Sequence, residues 1–211
     1  MTYKGVDILY CDNHVLVAVK PPNMPSQRDA SGDLDMLTLM KAYVKETYDK
    51  PGEVYLGLLH RLDRPVGGLM AFARTSKAAA RLSEQLRTHA MQRSYHAVVR
   101  GNAPETARLQ DMLERPDGPP QHAVLAYTCL GTRENLSLLA VQLETGRKHQ
   151  IRIQLCRAGL PIWGDARYGQ GRPGEQIALW GTSLVLIHPT TKEALSLSSA
   201  PPDAFPWSIF N

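Results

Sequence analysis

HRLDRPVGGLMAFAR, residues 60–74, sets one carboxylate, Asp63, between Arg61 and Arg64 and then runs through Gly67-Gly68 into an apolar segment. Leu69 to Arg74 has the composition of a strand, while Pro65 and the paired glycines break regular structure, so HRLD is expected in a loop that feeds that strand. Val54 to Leu59 reads as a strand entering the loop from the other side. Downstream, Ser76 is placed to cap a helix through about His89, with Ala79, Leu82 and Leu86 as its apolar stripe.

Nearer the start, Ile8 to Tyr10 and Val15 to Lys20 read as strands around the turn residues Asp12-Asn13, and Pro21-Pro22 ends the second. Leu37, Met40, Val44 and Tyr48 then recur at helical spacing behind a cap at Asp33 or Asp35. Tyr95 to Val99, Leu109 to Leu113, Ala123 to Leu130 and Leu136 to Leu143 read as strands. Lys148 to Ala158 reads as a helix stopped by Gly159, and Ile177 to Ile187 and Ala194 to Ser198 as two last strands. Strands interrupted by a few helices predict an α+β fold with a mixed, largely antiparallel central sheet and flanking helices. No repeat or clear linker divides the chain, so one domain over 1–211 is expected.

Composition narrows the chemistry. No run approaches a membrane span and the N-terminus lacks the pattern of a signal peptide, which predicts a cytoplasmic protein. Cys11, Cys129 and Cys156 form no CxxC pair, the seven histidines form no HExxH, and neither a GxSxG elbow nor a GxxxxGK[ST] loop is present. Disulfide, metal, serine-hydrolase and nucleotide-triphosphate chemistry therefore lose weight. Net charge is only +4, but residues 60–100 carry +6 and residues 145–172 carry +5, leaving −7 for the remainder. Two basic segments on an acidic body suit a phosphate-rich partner, if they meet in space; two solvated faces are the alternative.

Three groups of residues have chemical potential. Asp63, as an ionised carboxylate on a bendable loop, can act as nucleophile or base, with one arginine holding it and another holding a phosphate. A turn with a surface salt bridge fits the same residues. In Thr145-Gly146-Arg147-Lys148-His149-Gln150-Ile151-Arg152 a strand gives way to a basic helix start suited to anions, and Arg152, one turn on, can point inward toward a carboxylate such as Asp63. A packing helix with solvated basic residues is the alternative there. Tyr95, beside Arg93, can stack on a base or pack as an ordinary strand residue.

Taken in order, Lys20-Pro21-Pro22, HRLDRPVGGLMAFART, Arg93-Ser94-Tyr95-His96-Ala97-Val98-Val99-Arg100-Gly101 and Leu143 to Arg152, followed by Gly164-Asp165-Ala166-Arg167-Tyr168-Gly169, resemble the motifs of the RluA-type pseudouridine synthase family. The resemblance covers most of the chain. It implies a cofactor-free and metal-free enzyme that isomerises uridines in structured rRNA or tRNA, flipping the base, breaking C1′–N1 and rejoining through C5. It also implies Asp63, Tyr95 and Arg152 as catalytic residues, with Arg152 paired to Asp63. RNA contacts are expected from Arg61, Arg64, Arg147, Lys148, His149 and Arg167 along a cleft, pocket walls from Leu62 and Leu179, and a monomer without the small N-terminal S4 domain of some relatives.

Three departures stand out. Asn23 replaces a glycine of the KPxG motif, which asparagine tolerates because it accepts positive φ. Val66-Gly67-Gly68 replaces a hydroxyl-bearing run, predicting a more flexible loop. Leu179-Trp180-Gly181 stands where Leu-His-Ala is common, altering a pocket wall. A catalytically silent RNA-binding protein, or an enzyme that hydrolyses a glycosidic bond and releases uracil, remains compatible with the residues themselves.

Overall fold

The computed structural model describes residues 1–115, 117–172 and 174–210. Its chain divides into two units, Met1–Gln92 with Ser183–Ser199, and Arg93–Thr182 with Ala200–Asn211.

In the first unit β1 (Thr2–Tyr3), β2 (Val6–Cys11) and β3 (Val15–Lys20) run antiparallel. Asp12 builds the β2–β3 turn by accepting the amides of His14 at 2.8 Å and Val15 at 2.7 Å. Of the two expected caps, Asp35 starts α1 (Met36–Thr47) by accepting the Thr38 amide. Its buried stripe is Met36, Leu39, Met40, Tyr43 and Val44, so the expected face is rotated: Leu37 is half-buried and Tyr48 is the exposed C-cap. The larger apolar surface of Met36, Met40 and Tyr43, at i, i+4 and i+7, takes the inward side.

The strand expected over Val54–Leu59 shrinks to β4 (Gly57–Leu58), which pairs with β5 (Gly67–Ala73) through Gly57↔Ala73 and Leu58↔Phe72. On its other edge β5 pairs with β3, from Val15↔Ala73 to Lys20↔Gly68. All seven β5 residues are buried, which is why LMAFA reads as a continuous apolar run rather than an alternating one. Gly67 and Gly68, expected to loosen the loop, are instead the first residues of this buried strand. The cap of α2 (Ser76–Arg87) is Thr75, one residue before the expected Ser76; its Oγ1 accepts the Ala78 amide at 3.1 Å. Ala78 and Leu82 are buried, with Ala79 and Leu86 packed at the edge of the same cluster.

The second unit contains β6 (Gln92–Arg100), β7 (Thr106–Arg115), β8 (Gly118–Arg133) and β9 (Leu136–Leu143), ordered β6-β9-β8-β7 with antiparallel neighbours. β7 and β8 outrun the apolar segments that announce them because polar residues at their ends still pair, out to Arg115↔Gly118. α3 (Gln150–Arg157) buries Gln150, Ile151, Arg152, Gln154 and Leu155. Gly159, at φ +76°, lets the Leu160 amide return to the Leu155 carbonyl at 2.9 Å and closes the helix.

The chain passes back into the first unit within β10 (Leu179–Ile187), whose last residues pair with β11 (Ala194–Ser198) from Ser183↔Ser198 to Ile187↔Ala194. Leu184 and Leu186 of β10 join Val15, Val17, Leu69, Ala71 and Ala73 in a core closed by Ala78 and Leu82 of α2. A short 3-10 turn, Trp207–Phe210, ends the described chain. Among the described residues no helix is long and apolar enough to cross a membrane.

Candidate active site

The HRLD segment has no repeating hydrogen bonds of its own, so single contacts set its shape, and four residues make them. His60 is buried and its Nε2 accepts the Ala71 amide at 3.1 Å, taking over as β5's partner just past the end of β4. Ser26 brackets the next turn of chain: its hydroxyl donates to the Leu62 carbonyl at 2.6 Å and accepts the Leu62 amide at 3.1 Å. The Val66 amide closes a turn on the Asp63 carbonyl at 2.9 Å. Lys20, fully buried, donates from Nζ to the carbonyls of Pro21 at 2.9 Å, Met24 at 2.7 Å and Arg64 at 3.0 Å. Burial pulls the Lys20 ammonium down to about 7, although the nearby Asp63 charge pushes the other way. Asn23, at φ +66°, takes the left-handed turn expected of it just after the buried lysine.

The result is a loop whose backbone is fixed while Asp63 remains half-buried and Arg61 exposed. Leu62 is buried. Arg64 is held by two carboxylates, Asp29 at 3.6 Å and Asp33 more closely. That contact ties the loop to the 29–33 segment, a task the sequence reading did not give Arg64.

In the second unit Tyr95 is buried in β6 opposite Val141, and Leu179 is buried at the start of β10. The Arg93 guanidinium lies against Gly146, where a Cβ would come within 3.1 Å of its Nη2. Gln150 organises the turn before α3. Its Oε1 accepts from Thr145 Oγ1 at 2.8 Å and the Arg147 amide at 2.9 Å, and its Nε2 donates to the Val124 carbonyl at 3.0 Å. His149 enters α3 in the left-handed conformation, φ +56°, with Nδ1 hydrogen-bonded to the Tyr168 hydroxyl at 2.7 Å. Arg147 and Lys148 are exposed, although Arg147 Nε donates to the His122 carbonyl at 3.0 Å.

Arg152 was expected to turn inward toward a carboxylate such as Asp63. It is buried, and within its own unit the carboxylate that grips it is Asp165: Nε donates to Oδ2 at 2.8 Å and Nη2 to Oδ1 at 2.7 Å. The Tyr168 ring lies 5.1 Å from the Arg152 guanidinium, and the exposed Arg167 lies 5.3 Å from the same ring. Burial alone would raise the Asp165 carboxyl, but the Arg152 hydrogen bonds and charge, with the amides of Tyr168 and Arg167, bring it below the ordinary range. Asp165, Tyr168, Gln150 and Ser26 are site residues that the sequence reading gave no role. Asp165 and Tyr168 are signalled only by GDARYG and Gln150 only by its place in Thr145 to Arg152, while Ser26 has no signal at all.

A sequence model of the RNA pseudouridylate synthase family matches residues 14–156. The chain is 31% identical to a tRNA pseudouridine synthase C of Yersinia pestis over 92% of its own length and 86% of the relative's. It is 29% identical to a ribosomal large subunit pseudouridine synthase D of Zymomonas mobilis, covering 93% of this chain and 69% of that one. Its fold matches the solved human RNA pseudouridylate synthase domain containing 4 with a TM-score of 0.78 at 22% identity, over 96% of this chain and 90% of the other. This is the α+β pseudouridine synthase fold, and the chain belongs to the RNA pseudouridylate synthase family of isomerases.

Proposed function

We propose that the chain converts uridines in structured tRNA or rRNA to pseudouridine, with Asp63 as the carboxylate on which catalysis depends. The C1′–N1 bond breaks, the uracil turns, C1′ joins C5, the C5 proton leaves to solvent and N1 takes one up. No atom is gained or lost and the redox level is unchanged, so the step itself consumes no co-substrate. The observation that carries this reading is the HRLD loop, whose backbone is held by His60, Ser26 and Lys20. A carboxylate on so constrained a loop can meet a flipped base or its ribose in one orientation. In this reading Tyr95 stacks on the uracil, Arg152 is the cation for Asp63, Arg61 helps extrude the base, and Arg147, Lys148, His149 and Arg167 contribute to RNA contact. Leu62 and Leu179 line the pocket, and all 211 residues serve as one catalytic domain in a cytoplasmic monomer.

Relatives named for tRNA and for the large ribosomal subunit match at similar identity, which supports both substrate classes. Carbodiimide mapping of total RNA from cells with and without the gene identifies the uridine: one reverse-transcription stop disappears with the gene. Purified protein should release tritium from that RNA labelled at uridine C5, and Asp63→Asn should abolish release while RNA still binds. Release by Asp63→Asn at the wild-type rate, or appearance of free uracil, overturns the reading.

A further inference from the structure

We propose, on the reading above that the substrate is RNA, that Asp29 and Asp33 set RNA affinity: they occupy Arg64 in the free protein and yield it to a backbone phosphate when RNA binds.

Residues 27–34 form a strap whose side chains are all exposed. Its base is closed, because the Met36 amide donates to the Pro25 carbonyl at 2.8 Å and the Leu37 amide to the Ser26 carbonyl at 3.2 Å. Ser26 and Asp35, at its two ends, are buried. Within the strap Ser31 donates its amide and its hydroxyl to Asp29 Oδ1, at 2.9 and 2.6 Å, and the Asp33 amide donates to Ser31 Oγ at 3.2 Å. The two aspartates therefore move as one piece. Among the described residues, the strap's one hydrogen-bonded or ion-paired tie to the rest of the chain is Arg64, which meets Asp33 closely and Asp29 at 3.6 Å.

Arg64 is rooted more firmly than the strap it holds. Its carbonyl accepts from the buried Lys20 at 3.0 Å, which fixes its backbone one residue from Asp63 while the guanidinium stays exposed. A cation rooted beside the carboxylate proposed for catalysis is placed for a phosphate next to the target nucleotide. A guanidinium takes phosphate and carboxylate with the same fork, and in the free protein the chain's own anions fill it.

That filling is readily exchanged. The side chains of Arg64, Asp29 and Asp33 are 43%, 43% and 53% exposed, and ion pairs so open to water contribute little. RNA brings a dense row of phosphates to compete for the same cation. Both carboxyls lie below the ordinary range, Asp33 mainly through its hydrogen bond from Arg64 and Asp29 mainly through Ser31, so both are charged at neutral pH. Once a phosphate sits on Arg64, two like charges face it, and a strap with no other polar tie swings away from its fixed base. Every RNA encounter thus gives up part of its binding energy to displace the aspartates.

A double-mutant cycle on the full chain tests this. It compares wild type, Asp29→Asn with Asp33→Asn, Arg64→Ala, and all three substitutions together, each melted to establish a cooperative fold. Filter binding uses a transcript carrying the mapped uridine at about 0.1 M salt, where charges still interact over roughly 10 Å. Removing both carboxylates should tighten binding about fivefold with Arg64 present and less than about 1.5-fold once Arg64 is alanine. The half-saturating RNA concentration in single-turnover tritium release should fall by the same factor, a gain that loosening of the fold does not produce. A gain with Arg64 more than about twice the gain without it upholds the proposal; a smaller ratio overturns it, since the carboxylates then act on RNA through general charge or not at all. If the doubly substituted strap does not fold, Asp33→Asn alone takes its place. A gain of about twofold that vanishes with Arg64→Ala is then expected, and no gain, or an equal gain without Arg64, overturns the proposal. A wild-type chain that neither binds the transcript nor releases tritium defeats the proposed function, whereas one that does both but shows no coupling to Arg64 loses only the role of Asp29 and Asp33.

Discussion

The His60 imidazole continues a strand ladder by side chain: its Nε2 accepts the Ala71 amide at 3.1 Å, one step past the last β4–β5 pair, Leu58 with Phe72. Nε2 as acceptor puts the proton on Nδ1, so this histidine anchors the loop. Replacing it by Leu leaves a buried amide without its acceptor and should destabilise the fold by about 2 kcal/mol. The rate should fall far less than in Asp63→Asn. Urea unfolding and single-turnover tritium release measure both; a loss of activity as complete as that of Asp63→Asn, in a stably folded variant, would make His60 catalytic.

Lys20→Met strips three carbonyls of their shared donor, and should cost about 3 kcal/mol at pH 7 even after relief of the buried charge. The pH dependence has a defined sign. The folded chain releases the Lys20 proton near 7 and an unfolded one near its ordinary 10.5, so between those values the unfolded state binds more protons and wild-type stability relative to Lys20→Met rises with pH. Denaturant midpoints at pH 6, 8 and 10 test this, and a gap that narrows with rising pH would contradict it.

Two glycines that look alike in sequence should behave differently. Gly159→Ala meets open space and strains only its φ of +76°, for about 1 kcal/mol and an unchanged rate. Gly171→Ala drives a Cβ into the backbone of Gly164 and Asp165, at 2.4 and 2.7 Å, which cannot yield as a side-chain tip can. About 3 kcal/mol should be lost, along with activity through displacement of Asp165. Melting curves and tritium release on the pair distinguish local backbone strain from damage to the Asp165 loop.

RNA contact by Lys148 is tested through salt. If its exposed ammonium neutralises a phosphate, Lys148→Ala should weaken binding of all RNA sequences alike. The slope of log affinity against log salt should fall in magnitude by roughly 0.7 to 0.9. An unchanged slope removes Lys148 from the interface.

Much of this was legible in the sequence, for identifiable reasons. The extents of β3, β9 and β11 match their apolar and turn signals at both ends, and the ordered motifs by themselves point to the family. What failed to show were contacts spanning long stretches of chain. Ser26 reaches Leu62 across 36 residues and Lys20 reaches Arg64 across 44, and no local periodicity encodes such pairs. Val54 to Leu59 reads as a strand from its own composition, but only Gly57 and Leu58 pair with β5, and at the Leu59 end His60 captures the next partner amide. Arg152 was foreseen as turning toward a carboxylate, yet Asp165 went unassigned because an aspartate between a glycine and a run of turn residues reads as loop chemistry.

The return of the chain into the first unit also governs when that unit can form. Its core includes Leu184 and Leu186, and His188 Nε2 donates to Asp12 Oδ2 at 2.9 Å, across 176 residues. At about 5–20 residues per second of synthesis, roughly 5–20 s pass between the emergence of residue 92 and that of the strand that completes the core. Throughout that interval the apolar faces of Val15, Val17 and Leu69 await partners not yet made. The HRLD loop, anchored to this same unit, is thus assembled late in translation, and the second unit, which takes Arg93–Thr182 and then Ala200–Asn211, is completed later still.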